Sequence, residues 1–192
     1  WEDGADLGEA GRRLAEREHD EWESASLILC GSEFVRRGVV ECGGPADRCA
    51  VVPLGADPRF SAAMSPRPHG GPLRVLTVGS VGLRKGLPYV LRAAELLGGA
   101  AQFRVVGPIG VGAEARRRLE AAVDLVGPVP RPAILAHYAC ADVLLLASLC
   151  EVSAGVALKS LAVGLPVGPR GRSGRPVTEA SDGVHVPTHA GP

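Results

Sequence analysis

Two short stretches of this 192-residue chain hold residue types that suit an anionic ligand. The first is Val78-Gly-Ser-Val-Gly-Leu-Arg-Lys-Gly86, a glycine-rich loop between an apolar run and a helical pattern. Its glycines let backbone approach a ligand closely. The helix that follows offers free N–H groups and a positive dipole end, and Lys85 adds a full charge. That combination suits a phosphate. The spacing is neither G-x-x-x-x-G-K-S/T nor G-x-G-x-x-G, so neither a P-loop nor a nicotinamide site is indicated. The second stretch is Ser148-Leu-Cys-Glu-Val-Ser-Ala-Gly155, where Glu151 stands at a strand-to-helix handover. Taken without context, the first stretch is equally a surface turn with two solvated bases, and the second a solvated or capping carboxylate.

The surrounding pattern supplies the elements that must position these residues. Residues 73–78, 102–106, 124–126 and 142–147 are apolar runs, and a last one opens at Val167. Between them, residues 87–97, 113–122, 133–140 and 154–163 show helical patterns, with Leu87, Val90, Leu91 and Ala94 inward in the first. This alternation predicts an α/β fold, an open parallel Rossmann-like sheet with helices on both faces. Crossovers are right-handed, and ligands lie outside the carboxyl ends of the strands. Three of those ends carry glycine: Gly79, Gly107 and Gly127.

Upstream, residues 6–24 read as an amphipathic helix with Leu7, Ala10, Leu14, Trp22 and Ala25 near one stripe. Residues 26–30 read as a buried strand, Ser32 as an N-cap, and residues 49–52 as a further short strand. A loop over 61–72, rich in Ser, Pro and Gly, reads as a linker.

Hydrophobic residues make up 46% and charged residues 22%, an ordinary globular composition. Lys+Arg and Asp+Glu balance at 21 each, so no global field draws nucleic acid to the chain. Aromatic residues are only 4%, so the core is aliphatic. The five cysteines contain no C-x-x-C pair, which argues against a disulfide framework or a zinc site and fits a reducing cytoplasm. Cys30 and Cys140 read as small buried residues. The histidines at 69, 137, 185 and 189 read as solvated or packing residues. No apolar stretch reaches the roughly 18 residues that span a bilayer. The chain opens on Trp1 rather than Met, which reads as a fragment.

The ordered set of segments resembles the retaining GT-B nucleotide-sugar glycosyltransferases of the large bacterial family 4 type. The matching stretches are Glu21-Trp-Glu-Ser-Ala-Ser-Leu-Ile-Leu-Cys-Gly-Ser32, Val51-Val-Pro-Leu-Gly-Ala-Asp57 with Phe60, and Leu73-Arg-Val-Leu-Thr-Val-Gly79. Leu83-Arg-Lys-Gly86, Val126-Gly-Pro-Val-Pro130, Tyr138-Ala-Cys-Ala-Asp-Val-Leu-Leu-Leu-Ala-Ser148, Leu149-Cys-Glu151 and Leu161-Ala-Val-Gly-Leu-Pro-Val167 follow. Each is weak alone; in this order and spacing they are specific.

The resemblance implies a division. Residues 1–55 would end the N-terminal, acceptor-binding lobe, 56–72 would link the lobes, and 73–192 would be a truncated C-terminal lobe that binds the nucleotide sugar. Most of the N-terminal lobe would be missing, and with it the contacts to a sugar, lipid or other acceptor and any peripheral membrane contact. The resemblance also implies transfer with retention and without a metal or other cofactor. Lys85, with Arg84, would contact the donor diphosphate, and Gly79 would line it. Ser80 stands where an arginine is usual. Gly127, Pro128 and Val129 would hold the nucleobase through their backbone. Glu151 would lie near the donor sugar as the catalytic residue. Val152, Ser153, Ala154 and Gly155 occupy a segment that is normally glycine-rich. Lys159 falls where a glutamate grips the ribose. An ammonium donates hydrogen bonds and accepts none, so Lys159 cannot do that work. These departures keep a second expectation alive, a degenerate, non-catalytic glycosyltransferase-like domain. A different open-sheet nucleotide binder, such as an epimerase or dehydrogenase, lacks its G-x-G-x-x-G.

Overall fold

The computed structural model describes residues 8–62, 70–149 and 155–169. The chain divides into two compact units, one through Leu54 and one from Gly55 onward.

In the first unit, α1 (Gly8–Ser24) is followed by β1 (Ile28–Cys30), α2 (Glu33–Glu41) and β2 (Cys49–Val51). The strands pair in parallel, with Ile28 opposite Cys49 and Cys30 opposite Val51, and α2 packs on both. Ser32 caps α2 as expected: its Oγ accepts from the Val35 N–H at 3.3 Å. Past the helix end, Gly43 adopts φ +90° and donates to the Val40 carbonyl.

Two expectations are corrected here. The apolar stripe of α1 is not buried: no residue of the helix is, and Leu14 is 57% exposed. The helix instead carries surface ion pairs at i,i+4, Glu9–Arg13 and Arg17–Glu21, each worth a few tenths of a kcal/mol. The strand expected to be buried over 26–30 is three residues long and buried only at Cys30, with Leu27 and Leu29 exposed. In a two-stranded sheet alternate residues point to opposite faces, and α2 covers only one of them.

The second unit opens with α3 (Pro58–Ala62), a one-turn helix that periodicity does not reveal, whose Phe60 is buried. Then come β3 (Leu73–Val78), α4 (Leu87–Leu97), β4 (Ala101–Val106), α5 (Ala113–Glu120), β5 (Asp124–Gly127), α6 (Ile134–Ala139), β6 (Val143–Leu146), α7 (Gly155–Ala162) and β7 (Val167–Pro169). The five strands form one parallel sheet in the order β5-β4-β3-β6-β7. The expected α/β class, an open parallel sheet with helices on both faces, is the fold observed.

Each face has its own aliphatic core. One gathers Val75, Phe103 and Val105 with Leu87, Val90, Leu91 and Ala94 of α4, the four residues predicted to face inward, and Leu119 of α5. The other gathers Leu76, Val106, Leu144 and Leu146 with Tyr138 of α6, Ala157 of α7 and Phe60. Tyr138 meets Phe60 edge-on at 5.5 Å and donates its hydroxyl to the Val156 carbonyl; burial pushes its pKa well up. Cys140, expected to be buried, is exposed just past the end of α6. At the amino end of the sheet the Arg74 guanidinium grips Asp142 at 3.0 and 2.6 Å. The Arg74 N–H donates to the same carboxylate at 2.8 Å.

Candidate ligand cleft at the carboxyl ends of the strands

Strand order reverses at β3, which has β4 on one side and β6 on the other. The crevice outside the carboxyl ends at such a switch point is where open α/β sheets bind ligands. The loops that leave β3, β4 and β6 meet there.

The three strand-end glycines form a connected row. Gly79 donates its N–H to the Val106 carbonyl at 2.9 Å, and Gly107 donates to the Gly127 carbonyl at 2.9 Å. All three have positive φ, at +146°, +150° and +81°. A Cβ on Gly107 would lie 2.0 Å from the Gly79 carbonyl oxygen, so the two loop backbones touch where no side chain fits. Pairing continues beyond the strands: the Val81 N–H donates to Pro108 at 2.7 Å, and Gly110 returns a bond to Val81 at 3.0 Å. Val81 is 1% exposed and pins the loop into the core.

Leu83–Lys85 then form a single 3-10 turn, and Gly86 follows at φ +70°. A Cβ on Gly86 would fall 2.0 Å from the Ala147 carbonyl oxygen at the end of β6. The Leu149 N–H donates to the Arg84 carbonyl at 2.9 Å. The loop after β3 is therefore locked against the loop after β6. Within it, the stem of Lys85 crosses Gly79, with its Cε 3.2 Å from where a Gly79 Cβ would stand.

One expectation about this loop fails. The first turn of α4 does not offer free N–H groups. Leu87 donates to the Gly82 carbonyl, Tyr89 donates to the Gly86 carbonyl, and Pro88 has no N–H. The tight turn at Gly86 folds the preceding carbonyls back onto the helix start and uses the donors itself. The helix dipole remains.

Of the residues singled out in sequence, Gly79, Arg84, Lys85 and Gly127 lie along this rim, with Ser80 exposed beside Gly79. Pro128 and Val129 continue from β5, Pro128 exposed and Val129 packed against the core. Glu151, Val152, Ser153 and Ala154 lie outside the described residues. Gly155 opens α7. Lys159, on α7, has different company: its Nζ stands 5.9 Å above the Phe60 ring. Its charge also helps the Arg59 guanidinium, the main cause, hold the Asp57 carboxyl down at about 2. Sequence reasoning noted Gly107 as a strand end but left it out of the site; its closeness to Gly79 was signalled by the shared strand-end position. It missed Ala147, whose carbonyl shapes the loop, because nothing in an alanine announces a backbone contact. Among the described residues no group of three or more His, Cys, Asp or Glu side chains could hold a metal ion. No helix among them is long and apolar enough to cross a membrane.

These features define an open parallel-sheet domain whose strand-end loops are joined backbone to backbone, and comparison with known proteins supplies the family. Residues 72–188, more than half of the chain, match the family model described as glycosyl transferases group 1, and the chain belongs to that family. It is 29% identical over 165 residues to the amylovoran biosynthesis glycosyltransferase AmsK of Erwinia amylovora, a match that covers 78% of this chain and 40% of that protein. Among solved structures, its fold matches sucrose-phosphate synthase of Thermosynechococcus elongatus with a TM-score of 0.78 at 21% identity, over 96% of this chain and 51% of that one. It also matches Anabaena HepE in complex with UDP-glucose, with a TM-score of 0.77 at 15% identity, over 92% of this chain and 54% of that one. The chain thus spans about half the length of the proteins it matches, or less.

Proposed function

We propose that this chain carries the donor-binding part of a retaining glycosyltransferase that takes a sugar from a nucleotide diphosphate carrier. The observation that supports this most is the locked loop at the β3/β6 switch point, with Lys85 laid across Gly79. A lysine held over a bare backbone presents its charge where a diphosphate would meet the strand ends. In this reading Lys85 and Arg84 neutralise the departing diphosphate, without a metal ion or other cofactor. The backbone of Gly127, Pro128 and Val129 receives the base, and Glu151 positions the sugar. Catalysis then rests on positioning and charge neutralisation. The structural relative crystallised with UDP-glucose supports a nucleotide-sugar donor. The acceptor would be held by parts of the longer protein beyond residues 73–192, and the compartment would be the reducing cytoplasm.

A second reading is favoured by one observation. Lys159 rests on Phe60 and near Asp57, so a cation stands where the resemblance implies a carboxylate for the ribose. A copy that folds but holds its donor poorly would look like this.

Calorimetric titration with uridine and guanosine diphosphates tests both. The first reading expects saturable binding that Lys85→Ala weakens about ten- to a hundredfold, the loss of one charge-assisted hydrogen bond of about 1.5–3 kcal/mol. Binding that appears only in Lys159→Glu favours the second. Binding that ignores both substitutions rejects the placement of the site.

A further inference from the structure

The proposed donor chemistry uses the carboxyl end of the sheet and gives the amino end no part. There a cavity of about 440 Å³ opens between β4, β5 and the end of α6, within the range of about 300–1,000 Å³ usual for small-molecule sites. Side chains two apart along a strand share a face. Gln102 and Arg104 therefore lie on the face of Val106, whose core also holds Tyr138 of α6, and Asp124 stands opposite Arg104 on β5. Helix α6 leaves this strip of the sheet uncovered: Gln102, Arg104 and Asp124 are exposed. The turn from α5 into β5 lines the cavity with Ala121 and Ala122. The polar groups around it have open valences. Arg104 uses only its Nε, on Asp124 Oδ2 at 2.6 Å. Its two Nη groups and Asp124 Oδ1 bond nothing else among the described residues, and neither does the Gln102 amide. The Nδ1 of His137 is buried and has no hydrogen-bond partner among them. Buried polar atoms are nearly always paired, so this one calls for a partner. The ionised lining is balanced, Arg74 and Arg104 against Glu120 and Asp124, and favours a ligand without net charge.

We propose that this cavity is a second binding site, which takes a neutral sugar unit of the hexopyranose class. A hydroxyl donates and accepts at once. Two neighbouring hydroxyls can therefore accept from an Arg104 Nη and donate to Asp124 Oδ1, and the Gln102 amide offers one group of each kind. The His137 Nδ1 pairs with a hydroxyl in either tautomer, because the hydroxyl fills whichever role the nitrogen leaves open. The Ala121 and Ala122 methyls give the C–H face of the ring a small apolar wall. A planar base fits less well. Phe103, the Phe, Tyr or Trp ring on the lining, is packed in the opposite core with α4 and cannot stack on it. Arg104 and Asp124 are half exposed, so the mouth is open, and the sugar can be free or one unit of a glycan. The lining residues all belong to the second unit and none to the cleft at the strands' carboxyl ends. The two sites therefore stand or fall separately.

The test is an NMR titration of the isotopically labelled whole chain with glucose, galactose and mannose, and with maltose, lactose and mannobiose, each with and without saturating UDP. At least one sugar is expected to move the backbone signals of Gln102, Ala122 and His137 at millimolar concentration, with Gly79 to Gly86 unmoved and UDP without effect on the binding. Ala122→Trp, made on an exposed turn, is expected to fill the cavity and abolish these shifts. Arg104→Ala is expected to weaken binding about tenfold, the loss of one charged hydrogen-bond partner. A disaccharide that binds more tightly than its monosaccharide assigns the site to a glycan chain, and equal binding assigns it to the free sugar. The proposal is overturned if no sugar of the panel moves those signals up to about 0.1 M. It is also overturned if UDP displaces the sugar, or if both variants bind as the unsubstituted chain does. Uridine moving the same signals more strongly than any sugar overturns it too.

Discussion

The two ends of the five-stranded sheet are built from different materials. At the amino end, charged side chains tie neighbouring strands: Arg74 to Asp142 between β3 and β6, and Arg104 to Asp124 at 2.6 Å between β4 and β5. At the carboxyl end, glycines bring backbones together, Gly107 against Gly79 and Gly86 against Ala147. Around the side-chain ties lies a cavity of about 440 Å³, lined in part by Arg74, Arg104, Asp124 and His137. Backbone ties bring main chain to the rim, where the stem of Lys85 lies across Gly79.

If that contrast is right, the ends differ sharply in what they tolerate. The largest effect belongs to Gly86→Ala. The substitution forces a side chain into a left-handed backbone and into contact with the Ala147 carbonyl at 2.0 Å. Strain and overpacking together are expected to cost about 3 kcal/mol. Urea unfolding checks this; a loss under about 1 kcal/mol would mean the loop is not locked to β6 as described.

At the amino end the losses are smaller and graded by burial. Asp142 is a quarter exposed and accepts three bonds, so Asp142→Asn is expected to destabilise by about 1–2 kcal/mol. Arg104 and Asp124 are both about half exposed, and Arg104→Ala is expected to stay below about 1 kcal/mol. Equal losses at the two pairs would remove the grading.

The smallest effect concerns a carboxylate at neither end. Asp57 is held at about 2, first by hydrogen bonds from Arg59, with Lys159 adding its charge. Its folded pKa lies below the unfolded one. Whatever stability it contributes is therefore present above about pH 4 and lost as pH falls towards 2. An NMR titration of the Asp57 carboxyl follows this directly. Arg59→Ala is expected to return the pKa close to 3.8, and Lys159→Ala to raise it only slightly. A larger shift on removing Lys159 than Arg59 would show that the cation belongs to Asp57 rather than to Phe60.

Much of the second unit was legible before any coordinates. Strand β3 and helix α4 lie at residues 73–78 and 87–97, as the patterns predict, because a run of buried β-formers and a stripe at i, i+3, i+4 and i+7 are local signals. What was not legible has physical reasons. Helix α3 is one turn long, too short to show a period. The stripe on α1 is apolar in pattern, yet Leu14 faces water, since a hydrophobic face says what could be buried and not whether a partner exists. The first turn of α4 looked like an open set of donors. Only the path of the chain through Gly82 and Gly86 shows which carbonyls take them.

Local pattern is enough to set the fold class. Alternating apolar runs and helical stripes, with glycine at three strand ends, admit an open parallel sheet with an anion-suited edge. Tertiary structure alone decided which backbones touch: Gly107 on Gly79, Gly86 on Ala147, and the Lys85 stem over Gly79. It also decided that Lys159 lies over Phe60. Periodicity is a property of neighbours a few residues apart, whereas these contacts join positions brought together only when the strands pair and the crossovers close.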